Sequence, residues 1–303
     1  MKIVAPDFYP DFQCRMGACH HTCCAHWEID VDAETLARYQ AVEGPFGARL
    51  KSGIDAESGS IRLGDGERCP FLNEGGLCEI ILHLGKGALC QVCADHPRYR
   101  SFFSDRTEVG LGLCCEAAAA LTLRHVGPWR MIAVGEDGQP PREDAEEARL
   151  TALRDGLFTL IGSGGEPVAR LVDALDARCG AASRRSLSDW AAFLLTLERL
   201  DEQWTACLTR LRDAPPPDAP DPASEEQPLR QLYQAMLCRH LPHALEDGDA
   251  AGWVVWIGAM WRVVRAVARQ TGDLLEAARL WSAEIEYSAE NVEAVKRECE
   301  KER

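Results

Sequence analysis

The chain has 303 residues, a net charge of −15 at pH 7, 46% hydrophobic and 27% charged residues. That balance excludes long disorder and a fibrous architecture, and allows one large or two moderate domains. So acidic a surface makes nucleic acid an unfavourable partner, because phosphate binding needs clustered Lys and Arg; its usual consequence is solubility, with attraction of a lysine-bearing substrate as the second reading.

The opening residues MKIVAPDFYPDFQC contain one lysine and no apolar run of signal-peptide length, so a cytoplasmic protein with reduced thiols is expected. Cysteine then marks the chain: ten of the fourteen precede residue 116. The first cluster is Cys14, Cys19, Cys23 and Cys24, followed by Trp27. Next, Asp32 or Ala33 to Gln40 reads as a short helix with acidic residues at its start, and the Gly/Pro/Asp-rich stretches at 44–47 and 52–66 read as loops. Ser60–Leu63 reads as one short strand, with no regular alternation of a sheet protein around it. The second cluster comprises Cys69-Pro-Phe-Leu, Gly76-Leu-Cys78, Cys90-x2-Cys93 leading into His96-Pro97-Arg98, and Cys114-Cys115-Glu116. Cys179, Cys207, Cys238 and Cys299 are scattered singly and read as ordinary core or surface thiols.

From Ala145 onward apolar residues recur at helical spacing: Leu150, Leu153, Leu157, Leu160 and Ile161, then Val168, Leu171, Val172 and Leu175, then almost continuously from Leu187 to Leu211. PPPDAPDP forces an extended linker at about 214–222. Helices resume near Pro228, with stops near Pro242 and Gly272. The apolar stretch Ala250–Val264 is too short for a membrane span, which needs ~20 residues; it reads as a buried helix, with peripheral membrane or partner contact as the alternative. The expected fold class is therefore mainly α: a loop-rich, metal-organised cysteine domain over 1–130, then an all-helical domain over 131–303.

Four thiols within eleven residues repel one another as thiolates unless a cation neutralises them, so a reduced cluster of this density points to metal rather than to disulfides. One tetrahedral zinc would occupy four sulfurs. Nine or ten clustered cysteines suit two centres or one polynuclear iron–sulfur cluster better, and residues 14 to 115 are read as such a domain.

Cys14-x4-Cys19-x3-Cys23-Cys24-x2-Trp27-x-Ile29-Asp30, Cys69-Pro-Phe-Leu with Gly76-Leu-Cys78, Cys93-x3-Pro97-Arg98 and Cys114-x-Glu116 resemble the flagellin lysine-N-methylase family. The resemblance continues in Leu232–His243 (LYQAMLCRHLPH) and Trp281–Asn291 (WSAEIEYSAEN). The cysteine-rich zinc- or iron-chelating family shares only the first part. The resemblance implies methyl transfer from S-adenosylmethionine to ε-amino groups of flagellin lysines, dependent on a [4Fe-4S] cluster. It implies ligands among Cys14, Cys19, Cys23, Cys24, Cys69, Cys78, Cys90, Cys93 and Cys114, with Cys115 standing where the family pattern usually has proline. The alternative is a zinc- or iron-chelating binding protein without methyltransferase activity.

Residues for S-adenosylmethionine are not assigned, because Gly110-Leu-Gly112 does not open a strand-to-helix unit of the dinucleotide type. The spacing C-x4-C-x3-C departs from the C-x3-C-x2-C of clusters that bind this cofactor directly, which leaves radical and polar transfer both open. A lysine ammonium in water holds its proton up to a pH of ~10.4 and must lose it before polar attack. Glu116, Glu284, Glu286 and Tyr287 are the candidates to assist, each weighed against a plain surface or capping role. His96 and Arg98 are placed to support cluster sulfur, and His20 and His21 are secondary ligand candidates.

Overall fold

The structure is a computed structural model that describes residues 1–25, 27–181, 185–217, 219–301 and 303. The chain is mainly helical, and it separates into a unit over Gln13–Pro97 and a larger one formed by Met1–Phe12 with Arg98–Arg303.

In the smaller unit, helices α1 (Ala33–Ala41), α2 (Gly44–Gly53), α3 (Glu79–Leu84) and α4 (Gln91–Asp95) are joined by turns. Asp32 starts α1, where one carboxylate oxygen accepts from Thr35 N–H at 2.9 Å while the other accepts from Gln91 N–H at 2.9 Å. One side chain thus satisfies donors at the N-termini of both α1 and α4. Tyr39 donates to the Ala88 carbonyl at 2.7 Å, and Arg49 bridges Glu79 and the Pro70 carbonyl, each at 3.0 Å. The core beneath is Ile29, Val31, Tyr39, Leu50, Ile54, Ile61, Phe71 and Ile80, completed by Cys69 and Cys90. Ser60–Leu63 makes only isolated bridges, Ser60 to Asp30 and Ile61 to Ile54.

The larger unit holds a sheet that the sequence did not suggest: β1 (Lys2–Pro6), β2 (Arg98–Phe102), β3 (Arg106–Leu111) and β4 (Met131–Glu136), in the order β2-β3-β1-β4. β1 runs parallel to β3 and antiparallel to β4, and β2 pairs antiparallel with β3. Period-two patterning is absent because β3 is buried at nearly every position and β4 exposed at nearly every position. Residues 98–130, grouped by sequence with the cysteine-rich part, belong to this unit through β2, β3 and α5 (Glu116–Arg124).

The helices follow as α6 (Ala145–Gly162), α7 (Val168–Arg178), α8 (Leu187–Leu194), α9 (Glu202–Asp213), α10 (Ala223–His240), α11 (Ala244–Asp247), α12 (Ala250–Thr271), α13 (Leu274–Trp281) and α14 (Ala289–Glu300). A one-turn π-helix at Ser282–Glu286 separates the last two. The continuous apolar run 187–211 is divided between α8 and α9. α10 begins at Ala223, not near Pro228; the proline sits in its second turn, where the carbonyl it cannot serve belongs to exposed Ser224.

α12 extends to Thr271 and is, contrary to the sequence expectation, long and apolar enough to cross a bilayer, yet 78% of its apolar window is buried. It packs against α7, α8, α9, α10, α13 and α14, the surroundings of a core helix. Gly272 ends it at φ 75°, a left-handed cap that glycine adopts without strain.

The Pro-rich segment is a strap held against α12. Arg265 and Arg269 both grip the Asp221 carboxylate, at 2.7 and 2.9 Å, and they also reach the Ala219 and Pro217 carbonyls at 3.0 and 3.1 Å. Residue 218 of the predicted linker lies outside the described residues. Replacing Asp221 with Ala leaves two guanidinium groups without their buried carboxylate, and should cost about 2–3 kcal/mol in urea unfolding. A loss below 0.5 kcal/mol would show that the strap is not held by this pair.

Candidate functional site

Five predicted ligands converge in the smaller unit. Cys69 and Cys90 are core residues, and Cys24, Cys78 and Cys93 pack against the same core. The peptide bond helps to gather them, because Cys69 N–H donates to the Cys24 carbonyl at 2.8 Å. Cys78 and Cys90 are the N-cap residues of α3 and α4. The neighbouring N–H groups act to lower their pKa, those of Ile81 and Ile80 on Cys78 and that of Cys93 on Cys90, while that of Phe71 acts likewise on Cys69. Helix N-termini and backbone donors favour the thiolate form that a soft metal takes.

The protons are unevenly held. A hydrogen bond from Cys23 brings Cys24 down to about 7, and one from Cys93 does the same for Cys90. Burial pushes Cys69 up to about 11 and also raises Cys78, with the charges of Cys24 and Cys90 adding to both shifts. Cys93 is raised by its bond to Cys90, by burial and by the charges of Cys90, Cys24 and Cys69. Among the described residues, no three His, Cys, Asp or Glu side chains already stand in ligating geometry. The donor set is nonetheless all sulfur and partly ionised, which matches iron–sulfur or zinc chemistry.

Cys14 and Cys23 are exposed and Cys19 is half-buried in the preceding loop; Cys14 accepts from Met16 N–H at 3.4 Å. His20 and His21 are exposed in that loop. His96 lies 5.6 Å from the Trp27 ring, whose indole N–H donates to the Cys23 carbonyl at 2.8 Å. Arg98 belongs to the larger unit, where its Nε donates to the Tyr9 hydroxyl at 2.9 Å.

Cys114 also belongs to the larger unit, and there it meets two residues singled out for catalysis. It is half-buried next to Cys115, the N-cap of α5. Tyr287 stands beside Cys114, and burial raises both groups, Cys114 to about 12. Tyr287 directly follows the π-helix and the residue is 46% exposed, whereas Glu284 and Glu286 are buried. Such a turn carries one extra residue and so displaces side chains from α-helical spacing.

Glu286 accepts from His240 Nε2 at 2.8 Å and from Ser282 Oγ, and lies 3.8 Å from Arg239. Burial acts to raise its pKa, but the Arg239 charge and the bonds from His240 and Ser282 outweigh it and hold the carboxyl below the usual range. Burial lowers His240 to about 4, against the pull of Glu286, so the ring is neutral and donates through Nε2. Glu284 is raised by burial, and its carboxylate accepts from Leu200 and Asp201 N–H at 2.9 and 2.8 Å, a cap at the start of α9. Glu116 is buried in the first turn of α5. Sequence reading did not single out Arg239, His240 or Tyr99, although adjacent Arg and His within LYQAMLCRHLPH were the available signal.

This is a mainly helical protein with a thiol-rich unit and, separately, a buried Arg–Glu–His network beside a Cys–Tyr pair. The chain is 28% identical over 144 residues to the flagellar biosynthetic protein FliU of Salmonella muenchen, covering 45% of this chain and 83% of FliU. It is 29% identical over 124 residues to lysine-N-methylases of Salmonella choleraesuis and Salmonella typhimurium, covering 38% of this chain and 31% of each relative. No family model and no solved structure matches.

The buried histidine gives an acid-sensitive signature. The unfolded ring protonates near 6.5 and the folded ring only near 4, so stability is lost as pH falls through that window. Glu286 adds its loss only below the ordinary carboxylate range. His240→Gln retains a donor for Glu286, and should reduce the loss of stability between pH 6.5 and 5 by about 2 kcal/mol. An unchanged slope would mean that His240 does not carry this sensitivity.

Proposed function

We propose that the protein is an S-adenosylmethionine-dependent lysine N-methyltransferase acting on flagellin in the cytoplasm, with an iron–sulfur cluster bound by its cysteines and zinc as the alternative metal. The observation that carries this reading is the similarity to proteins named lysine-N-methylase in a chain that gathers five thiols in one unit. Cys24, Cys69, Cys78, Cys90 and Cys93 are the residues best placed to hold the metal, which in this reading organises the thiol-rich unit.

S-adenosylmethionine supplies the methyl group on a sulfonium. In polar transfer, the lysine nitrogen forms the new N–CH3 bond as the S–CH3 bond breaks, and the ammonium proton has left beforehand to solvent. Burial and neighbours that disfavour the ammonium promote that loss. Tyr287 is the member of the second cluster that a substrate can touch, since the residue is partly exposed while Glu286 is buried and already paired. Its hydroxyl and Cys114 offer polar contacts for an amine. Glu286 acts from behind, holding Arg239 and His240.

The test uses full-length protein purified without oxygen. Iron and sulfide should co-purify, and mass spectrometry should find methylated lysines on flagellin when S-adenosylmethionine is added. Cys69→Ser and Cys90→Ser should each retain at least tenfold less metal, whereas Cys179→Ser should retain it. A colourless zinc protein with full activity would remove the iron, and metal-loaded protein that never methylates flagellin would favour the chelating binding protein instead.

A further inference from the structure

Four residues from distant parts of the larger unit form one stack. Gly110 on β3 stands opposite Tyr99 on β2, and a Cβ at Gly110 would lie 2.2 Å from the tyrosine ring. The missing side chain is what lets the ring lie across the sheet. The Tyr99 hydroxyl donates to Cys238 Sγ, fixing the ring to α10 one residue before Arg239. Arg239 lies 5.0 Å from the Tyr99 ring centroid and 4.5 Å from that of Tyr287. Its guanidinium also donates to the Glu286 carbonyl at 3.0 Å.

We propose that Arg239 is a positioning residue, wedged between two tyrosine rings so that Tyr287 is kept beside Cys114 where a substrate amine would arrive. The arrival of an amine there rests on the function proposed above; the wedge itself does not. A planar guanidinium presents a flat face to each ring while its edge serves oxygen acceptors, and a lysine ammonium has neither the plane nor the fork. The backbone alone leaves Tyr287 freer, because it lies just beyond the π-helix and the residue is close to half exposed. The Arg239 contacts therefore supply the order that packing does not.

The experiment compares full-length wild type with Arg239→Lys, and with Tyr99→Leu as a second variant that removes the flat partner but keeps apolar bulk. At fixed pH, iodoacetamide labelling of Cys114 is followed by peptide mass spectrometry, with buried Cys207 as the measure of global loosening. Both variants should label Cys114 at least fivefold faster while Cys207 stays unchanged. In methyl transfer, kcat should fall at least tenfold with KM for S-adenosylmethionine within twofold. Unchanged Cys114 labelling, or equal acceleration at Cys207, overturns the wedge. Faster Cys114 labelling in a protein whose wild type never methylates flagellin supports the wedge and instead removes the proposed methyl transfer.

Discussion

Thiolates repel, and the smaller unit brings five thiols onto a core that already counts Cys69 and Cys90 among its members. Two unit charges 4 Å apart cost about 4 kcal/mol at an effective dielectric near 20. The chain limits that cost by pairing: Cys24 is lowered by a bond from Cys23 and Cys90 by one from Cys93, while Cys69, Cys78 and Cys93 are held protonated. A cation among them would reverse the balance and release those protons, so metal affinity and the packing of this unit are linked. Asp32 contributes from outside the sulfur set, because its bond to Gln91 N–H fixes the start of the helix that carries Cys93.

The larger unit solves a different problem, that of bringing together side chains far apart in sequence. α10 delivers Arg239 and His240, α13 ends in the π-helix that carries Glu286, and both pack on α12, the longest helix among the described residues. The Ala-rich α5 packs closely against α10 and α13 because Ala117 to Ala120 add so little bulk, and this carries Cys114 at its start toward Tyr287. Core packing here positions polar chemistry, with the backbone departing from α-helix over Ser282–Glu286.

What was readable in the sequence was what repeats locally. Clustered cysteines, the α1 start at Asp32 and the helical spacing after Ala145 are all expressed within a turn or two. The sheet was not, because its strands are short, spread over the first 136 residues and patterned by tertiary burial rather than by alternation. The strap was read as a linker because proline excludes helix but says nothing about Arg265 and Arg269, which lie more than forty residues downstream. Cys114, Glu286 and Tyr287 are legible one by one; that the first and last stand side by side depends on Arg239, Tyr99 and a missing Cβ at Gly110, residues far apart in sequence whose meeting no local pattern announces.

The composition around Glu286 bears on whether this network serves stability or position. His240 packs among Trp253, Trp256 and Trp281, surroundings in which apolar side chains of equal volume would pack without charge. Replacing a buried ion pair with hydrophobic residues is often neutral or stabilising, whereas leaving one partner alone is costly. Folding alone therefore does not require Arg, Glu and His at this point. A carboxylate held ionised by burial-resistant partners keeps Arg239 oriented, and an oriented Arg239 keeps an exposed tyrosine beside a thiol. The charge is buried in order that a neighbour at the surface stays in place.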